Sequence, residues 1–214
     1  MASAHPELET LASFAAGTLS DGMSLLVSSH LTYCPTCRKR VSLMEDVGGA
    51  FVCASDADMS DGALSAALAA IDGEGSVPAP AKAAQYDDTS PLPRAIQDVI
   101  AAPLDDLPWQ FRLPGLHEYK LSGFDGEDVS LIRAKPGARM LAHTHTGEEA
   151  TLIFSGAMQD GDTVYRKGDV AQADHSHDHH PEIVGDEVCY CLIVMAGGMQ
   201  FTGRFSRALN VLTR

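Results

Sequence analysis

The sequence predicts an α + β protein of two domains, a small helical bundle followed by an all-β domain, and three observations support this division. Residues 6–72 repeat apolar side chains at three- and four-residue steps, the period of amphipathic helices. Residues 73–94 are rich in Gly, Pro, Ala and Ser, as linkers are. Short apolar runs separated by glycine turns follow, which indicate antiparallel strands. We therefore expect a helical domain at 1–73, a flexible linker at 74–95 and a β-domain at 96–214.

Four helices are predicted in the first domain. One precedes Ser20, and Ser20 suits the N-cap of a second helix that ends at His30. Pro35 suits the first position of a third helix, which runs to Cys53, and a fourth helix follows Ser60.

Acidic residues outnumber basic ones by 29 to 15, which gives a formal net charge of −14. This charge opposes binding to nucleic acid and to anionic membranes, so we expect neither as a direct partner and a basic protein instead. The first residues, MASAHPELET, lack the basic and apolar regions of a signal peptide, and no apolar run is long enough for a membrane span. We expect a soluble, cytoplasmic protein whose cysteines are metal ligands or thiols rather than structural disulfides.

The stretch HLTYCPTC, residues 30–37, has the ligand types of a metal site. Cys34 and Cys37 can converge beside the N-terminus of the third helix, and the tight turn brings His30 to them. The fourth ligand is most simply His5, because an antiparallel helix pair returns the chain start to the end of the second helix. Two thiolates and two neutral imidazoles favour tetrahedral zinc. A redox pair is the alternative, but the βαβ pattern of thioredoxin-like motifs is absent here.

A distant histidine followed by H-x3-C-x2-C on short helices resembles the zinc-binding anti-sigma domain. The resemblance implies that these helices wedge between the two globular regions of an extracytoplasmic-function (group IV) sigma factor, which then cannot bind core RNA polymerase or promoter DNA. The charge agrees, since an acidic domain suits the basic DNA-reading surfaces of a sigma factor. An extracytoplasmic-function sigma factor is therefore the expected partner.

A second metal motif lies in the β-domain, in the stretch GARMLAHTHTGEEATLIFSG. His143 and His145 share one face of a strand, and Glu149 follows four residues later. With Gly137 and Gly156 they match every fixed position of the first cupin motif, G-x5-H-x-H-x3-E-x6-G. We therefore expect a metal-binding cupin barrel that holds zinc or another divalent transition metal such as iron, manganese or nickel.

The resemblance to cupins implies one further histidine ligand in the second cupin motif. There the ligand is followed shortly by a proline, which favours His179 before Pro181, with His177 as the second choice. The usual P-x-G of that motif lacks its proline at Lys167-Gly168, so both choices stay open.

Cys189 and Cys191 lie two apart in a predicted strand and so share one face. If that face points inward, both thiols lie near the metal, where oxidants could reach them. The alternative is a pair of small apolar core residues.

An anti-sigma domain joined by a linker to a metal cupin resembles the ChrR family of anti-sigma factors over nearly the whole chain. The resemblance implies a negative regulator of transcription rather than an enzyme. Such a regulator sequesters a group IV sigma factor and releases it on photooxidative stress, from singlet oxygen or organic hydroperoxides, with the cupin as the signal-responsive domain. The alternative function is a metal-dependent cupin enzyme, an oxygenase or isomerase acting on a small molecule.

Overall fold

The computed structural model describes residues 2–55, 58–73, 86–100, 102–204 and 206. Most of the predicted linker, residues 74–85, lies outside the described residues. Where the chain is described, no helix combines the length and apolar character that a membrane span needs. The helices are α1 (Leu8–Ala15), α2 (Asp21–Tyr33), α3 (Pro35–Ala54), α4 (Ala63–Asp72) and α5 (Arg94–Val99), with a 3₁₀ turn at Leu104–Asp106.

The helix boundaries follow the predicted signals closely. Pro35 is the first residue of α3, as predicted, because a missing N–H costs nothing in the first turn of a helix. The α2 helix continues to Tyr33, past its predicted end at His30. Consequently only Cys34 separates α2 from α3, and the two helices meet at a sharp corner.

The N-terminus of α2 is capped by the β-domain rather than by its own residues. Ser20 is the N-cap, but its hydroxyl donates to Glu127 Oε1 at 2.6 Å. The N–H of Gly22 donates to Glu127 Oε2 at 2.9 Å. The Glu127 carboxylate thus satisfies a helix-terminal donor and lies where the helix dipole favours negative charge.

The remaining elements are strands in three antiparallel sheets. The strands are β1 (Gln110–Leu113), β2 (Leu116–Lys120), β3 (Asp128–Ala134), β4 (His143–His145), β5 (Glu148–Ser155), β6 (Ala157–Asp160), β7 (Thr163–Arg166), β8 (Val170–Ala173), β9 (Glu182–Val184), β10 (Cys189–Ala196) and β11 (Met199–Phe201). The largest sheet has the order β1-β2-β3-β10-β5-β8, a second has the order β7-β6-β9, and β11 pairs with β4. The described strands close into no single sheet, so the predicted barrel is not confirmed. The six-stranded and three-stranded sheets pack together as a β-sandwich.

The six-stranded sheet buries both of its faces. On the inner face, Ile132, Ile153 and Cys191 pack with Met158 and Ile183 of the three-stranded sheet. On the outer face the alternate residues of the same strands pack against α2 and α5, because side chains on a strand alternate between its two faces. Burial on both faces explains why β3, β5 and β10 read as nearly continuous apolar runs.

The helices and the β-domain share one apolar core. Leu25 and Leu26 of α2 pack with Leu152 and Phe154 of β5. Leu92, inside the predicted linker, is buried in the same cluster as Ile96 of α5. Part of the predicted linker, around Leu92, is therefore packed in the core. The α2 helix is packed directly on the sheet.

A second, smaller core lies among α1, α2 and α3. Leu11, Val27 and Val41 are buried together there with Cys34 and Cys37. The α4 helix has no buried residue, so the predicted four-helix bundle is not confirmed. Three helices pack around the cysteines, and the fourth helix exposes its apolar residues.

Replacing Leu26 with alanine should lower the free energy of unfolding by about 2–5 kcal/mol, because the side chain is 0% exposed where α2 meets the sheet. The measurement is urea unfolding of the full chain. Leu68→Ala on α4 is the matched control, since Leu68 is 51% exposed and its truncation should change stability by less than about 0.5 kcal/mol. Equal losses in both variants would contradict the packing of α2 on the β-domain.

Candidate metal centres

The first candidate centre lies at the corner between α2 and α3. Cys34 is the N-cap of α3, and its sulfur accepts a hydrogen bond from the N–H of Cys37 at 3.3 Å. His30 lies one turn earlier on α2 and is fully buried. His5 precedes α1, and its Nδ1 lies 3.4 Å from the Cys34 sulfur and 3.6 Å from the Cys37 sulfur. The structure therefore brings all four predicted residues together.

The geometry of this group suits one tetrahedral ion. One ligand atom from each of the four residues lies within 4.8 Å of the others. Sulfur and nitrogen ligands about 2.0–2.3 Å from a common zinc ion would be spaced in this way. His30 Nδ1 lies 2.8 Å from the carbonyl oxygen of Gly168, to which it donates, whereas its Nε2 is buried without a hydrogen-bond partner in the described structure. A buried nitrogen with no partner is costly unless it ligates a metal.

The electrostatics also favour a metal. Burial lowers the pKa of His30, so its imidazole is neutral near pH 7. Burial, followed by the neighbouring Cys34, raises the pKa of Cys37 to about 11. Without a metal this thiol keeps its proton, and a divalent ion would displace it.

The β-domain holds both histidines of this group. Besides the Gly168 carbonyl that orients His30, the Asp169 carboxylate accepts hydrogen bonds from the backbone N–H groups of Ser3 and Ala4, the latter at 3.0 Å. Ala4 in turn accepts from the N–H of Val170 at 3.1 Å. These bonds fix the segment that carries His5. From the sequence Gly168 is marked only as part of a cupin motif, and no contact of Gly168 or Asp169 with the first centre is predicted, because spacing carries no sign of a contact across so much chain.

His5→Ala should weaken zinc binding to the first centre by more than about tenfold, since loss of even an outer-shell partner costs that much. Affinity in the unaltered chain should rise with pH between 6 and 8 by at least about tenfold per unit, because zinc must displace the Cys37 proton. Competition with a zinc-binding dye measures both effects. His175→Ala, an exposed histidine outside both groups, is the control. Full affinity in His5→Ala would remove His5 from the ligand set.

The second candidate centre lies inside the β-sandwich. His143 and His145 are on β4, and His179 reaches them from the segment before β9. The backbones of His143 and His179 exchange two hydrogen bonds of 3.0 Å. His145 Nε2 is 2.9 Å from His179 Nε2, and the three imidazoles form one ligand-spaced group. Glu149, the fourth predicted residue, is outside that group but its Oε2 lies 3.7 Å from His145 Nε2.

A glycine sets the spacing of these residues. Gly147 occupies the turn between β4 and β5, where a Cβ would collide with the carbonyl oxygen of Ala196. Only glycine lets the end of β10 approach the turn that separates His145 from Glu149.

Neighbouring groups orient the imidazoles. His143 Nδ1 lies 2.7 Å from the carbonyl oxygen of Leu141, to which it donates, and His179 Nδ1 lies 2.6 Å from Asp160 Oδ2. In each ring Nε2 is left for a metal, as in other metal sites where the second nitrogen is held by an oxygen. Asp160 could not be predicted from the sequence, since no motif marks this residue on β6.

Burial and mutual proximity set the pKa values of this group. Burial, followed by the neighbouring His143 and His179, lowers the pKa of His145 to about 4. Burial raises the pKa of Glu149. Burial would lower the pKa of His179, but the hydrogen bond and charge of Asp160 outweigh it and raise that pKa. The low pKa keeps the His145 imidazole neutral, as a metal ligand must be, and a divalent cation would displace a proton held by His179.

The structure distinguishes His179 from His177, the second choice in the sequence. His177 is exposed, and its Nδ1 pairs with Asp174 at 2.9 Å. His175 and His180 are exposed as well. His179 alone of these four lies in the ligand-spaced group of the described residues.

Cys189 and Cys191 both point to the inner face of the six-stranded sheet. Cys189 is fully buried, and Cys191 lines the same cavity as His143 and Glu149. The Cys189 thiol and burial raise the pKa of Cys191, which keeps it a thiol at neutral pH. Both cysteines are therefore core residues, and Cys191 also lies near the histidine group.

The helices carry a Cys/His group, and the β-sandwich that follows them carries a histidine group. A chain of this kind is a cupin-like protein with two candidate metal centres. Residues 97–198 match the family model of the ChrR cupin-like domain. The chain is 32% identical to the anti-sigma-E factor ChrR of Cereibacter sphaeroides over 92% of this chain and 91% of that protein. The chain belongs to the ChrR family.

Two solved structures can be compared with this chain. The crystal structure of Rhodobacter sphaeroides SigE in complex with the anti-sigma ChrR matches with a TM-score of 0.76 and 28% identity, covering 91% of this chain and 99% of that one. An RmlC-like cupin protein from Ralstonia eutropha matches with a TM-score of 0.40 and 22% identity over 51% of this chain and 76% of its own.

Proposed function

We propose that this protein is an anti-sigma factor that sequesters an extracytoplasmic-function sigma factor and releases it on photooxidative stress. The observation that carries the proposal is an exposed apolar surface on α3 and α4. The ChrR family and the similarity to a chain solved in complex with SigE support it. On this proposal the chain is a regulator rather than an enzyme, and it acts in the cytoplasm.

The helices α3 and α4 expose several large apolar side chains, together called the α3–α4 apolar surface: Leu43, Val47, Phe51, Val52, Leu64, Leu68 and Ile71. Such exposure is unusual for a protein that acts alone. On α3, Leu43, Val47 and Phe51 recur at four-residue steps and so lie along one side of the helix. Phe51 is 74% exposed. Exposed clusters of large apolar side chains mark sites where another protein binds.

Charge favours a basic partner at this surface. Residues 1–72 carry nine acidic residues and three basic ones. Charge can guide a partner to an interface that apolar contacts then hold, so the net negative charge of residues 1–72 favours a basic partner. The DNA-reading surface of a sigma factor has the complementary sign.

The proposed roles divide along the chain as the sequence predicts, with inhibition at 1–73, a linker at 74–95 and signal response at 96–214. Zinc would occupy the group of His5, His30, Cys34 and Cys37. Zinc or another divalent transition metal would occupy His143, His145 and His179, with Glu149 as a further ligand. His30 donates a hydrogen bond to Gly168, and the N–H of Ala4, next to His5, donates one to Asp169. These two bonds give the signal-responsive part a direct contact with the inhibitory part.

Phe51→Ala should weaken binding of the sigma factor by at least about tenfold, because a buried aromatic side chain at the centre of an interface contributes that much. The sigma factor is first identified by pull-down from native extract, then purified for titration. Phe111→Ala on β1 is the matched control, since Phe111 is 66% exposed but distant in sequence from α3 and α4. Unchanged affinity in Phe51→Ala, or an equal loss in the control, would overturn the proposed interface.

His145→Ala should leave inhibition of the sigma factor near its original strength and abolish induction by singlet oxygen. The reason is that His145 lies in the β-sandwich, whereas the α3–α4 apolar surface does not include it. A reporter driven by the sigma factor, read with and without a photosensitiser at matched protein levels, measures both. Constitutive reporter activity in the folded variant would show that the second centre supports inhibition itself.

A further inference from the structure

A cavity of about 400 Å³ opens between the two layers of the β-sandwich. Its volume is within the range of sites that take small molecules. Apolar side chains such as Leu116, Ile132 and Ile183 form most of its lining, and His143 and Glu149 also line it. The exposed ion pair of Lys120 with Asp128, 2.8 Å apart, also borders it. An apolar molecule that enters this cavity would come close to the second centre.

Thioethers are concentrated around this cavity. Met140, Met158, Met195 and Met199 all line it, and they are all the methionines that the sequence contains after residue 96. Met158 is buried and the other three are partly buried. The four thioethers therefore line one cavity rather than being scattered through the core.

Two of these methionines lie directly beside candidate ligands. In the pairing of β10 with β5, Met195 is opposite Glu149. In the pairing of β11 with β4, Met199 is opposite His145. A change in either side chain therefore acts on a strand neighbour of the second centre.

We propose that the cavity admits an organic hydroperoxide and that Met195 and Met199 are its sites of oxidation. The inference rests on the proposed function, for which it supplies the chemical event of signal reception. The thioether sulfur attacks the terminal peroxide oxygen, an S–O bond forms and the O–O bond breaks. The electron pair of the broken bond goes to the alkoxide oxygen, which takes up the proton of the hydroperoxide and leaves as an alcohol. Sulfur is oxidised by two electrons and the peroxide is reduced by two.

Thioethers suit this role better than the thiols nearby. A thiol reacts as its thiolate, and Cys191 is buried on the inner face of the sheet. A thioether needs no ionisation, and its sulfoxide is polar and chiral, so oxidation disrupts apolar packing. An apolar lining also selects an organic hydroperoxide over hydrogen peroxide, because the smaller oxidant gains nothing from leaving water. A sulfoxide oxygen beside Glu149 or His145 would displace the strands that carry them.

The test compares two oxidants on the full-length protein. The purified chain is exposed to cumene hydroperoxide or hydrogen peroxide, and early sulfoxide formation at each methionine is measured by peptide mass spectrometry. Met59 is the internal control, since it is 71% exposed and lies outside the cavity. With cumene hydroperoxide, Met195 and Met199 should be oxidised several-fold faster relative to Met59 than with hydrogen peroxide. If the oxidation rates of Met195 and Met199 relative to Met59 are the same with both oxidants, the inference is wrong.

A variant that fills the cavity provides the second arm. Ile193→Phe adds volume at a lining residue and should slow oxidation of Met195 and Met199 by cumene hydroperoxide, with no change at Met59. Val99→Phe, at an exposed residue of α5, is the control. The comparison of oxidants on the unaltered chain decides the question even if Ile193→Phe fails to fold. The oxidation assay contains no sigma factor, so it is independent of the sigma-binding assay. If the chain binds the sigma factor but Met195 and Met199 are not preferentially oxidised, only this inference is overturned. If they are preferentially oxidised but the chain binds no sigma factor, only the proposed function is overturned.

Discussion

The structure depends on the Gly168–Asp169 turn, which ties the start of the chain to the β-domain. Backbone donors of Ser3, Ala4 and Arg166 surround the Asp169 carboxylate. Burial raises its pKa, but these hydrogen bonds outweigh burial and the net pKa is lowered, so the carboxylate stays ionised. Gly168 has a φ of +89°, and a Cβ there would lie 2.9 Å from that of Tyr33. A side chain at Gly168 would thus add strain and push α2 away, with His30 on it.

Because this turn orients His30 and positions the segment before His5, the first centre is completed by parts of the chain that are distant in sequence. The same turn leads into β8, whose Ala173 pairs with Glu149 of β5. A continuous set of hydrogen bonds therefore runs from the helices to the second centre.

Much of the site could be predicted from sequence because its signals are local. The spacing of Cys34 and Cys37 around Pro35, and of His143 and His145 on one strand, determines which side chains can converge. Packing between distant segments has no such signal. The apolar stripe of α2 shows that Leu26 is buried but not that a β-sheet covers it, and the composition around Leu92 hides a residue that packs in the same core. Asp160 and Glu127 act through hydrogen bonds across the fold, which no periodicity marks.

The packing of α2 also explains why the apolar residues of α3 and α4 remain in water. One side of α2 packs on the six-stranded sheet through Leu25 and Leu26, and another packs against α1 and α3 through Val27. With these two sides of α2 already packed, Phe51 and Ile71 remain 74% and 78% exposed in the described chain. Burying a side chain of this size contributes about 1.5–3 kcal/mol, so the exposed surface withholds a stabilisation that a partner can supply. A chain that leaves this free energy unrealised can bind a partner without first unfolding its own core.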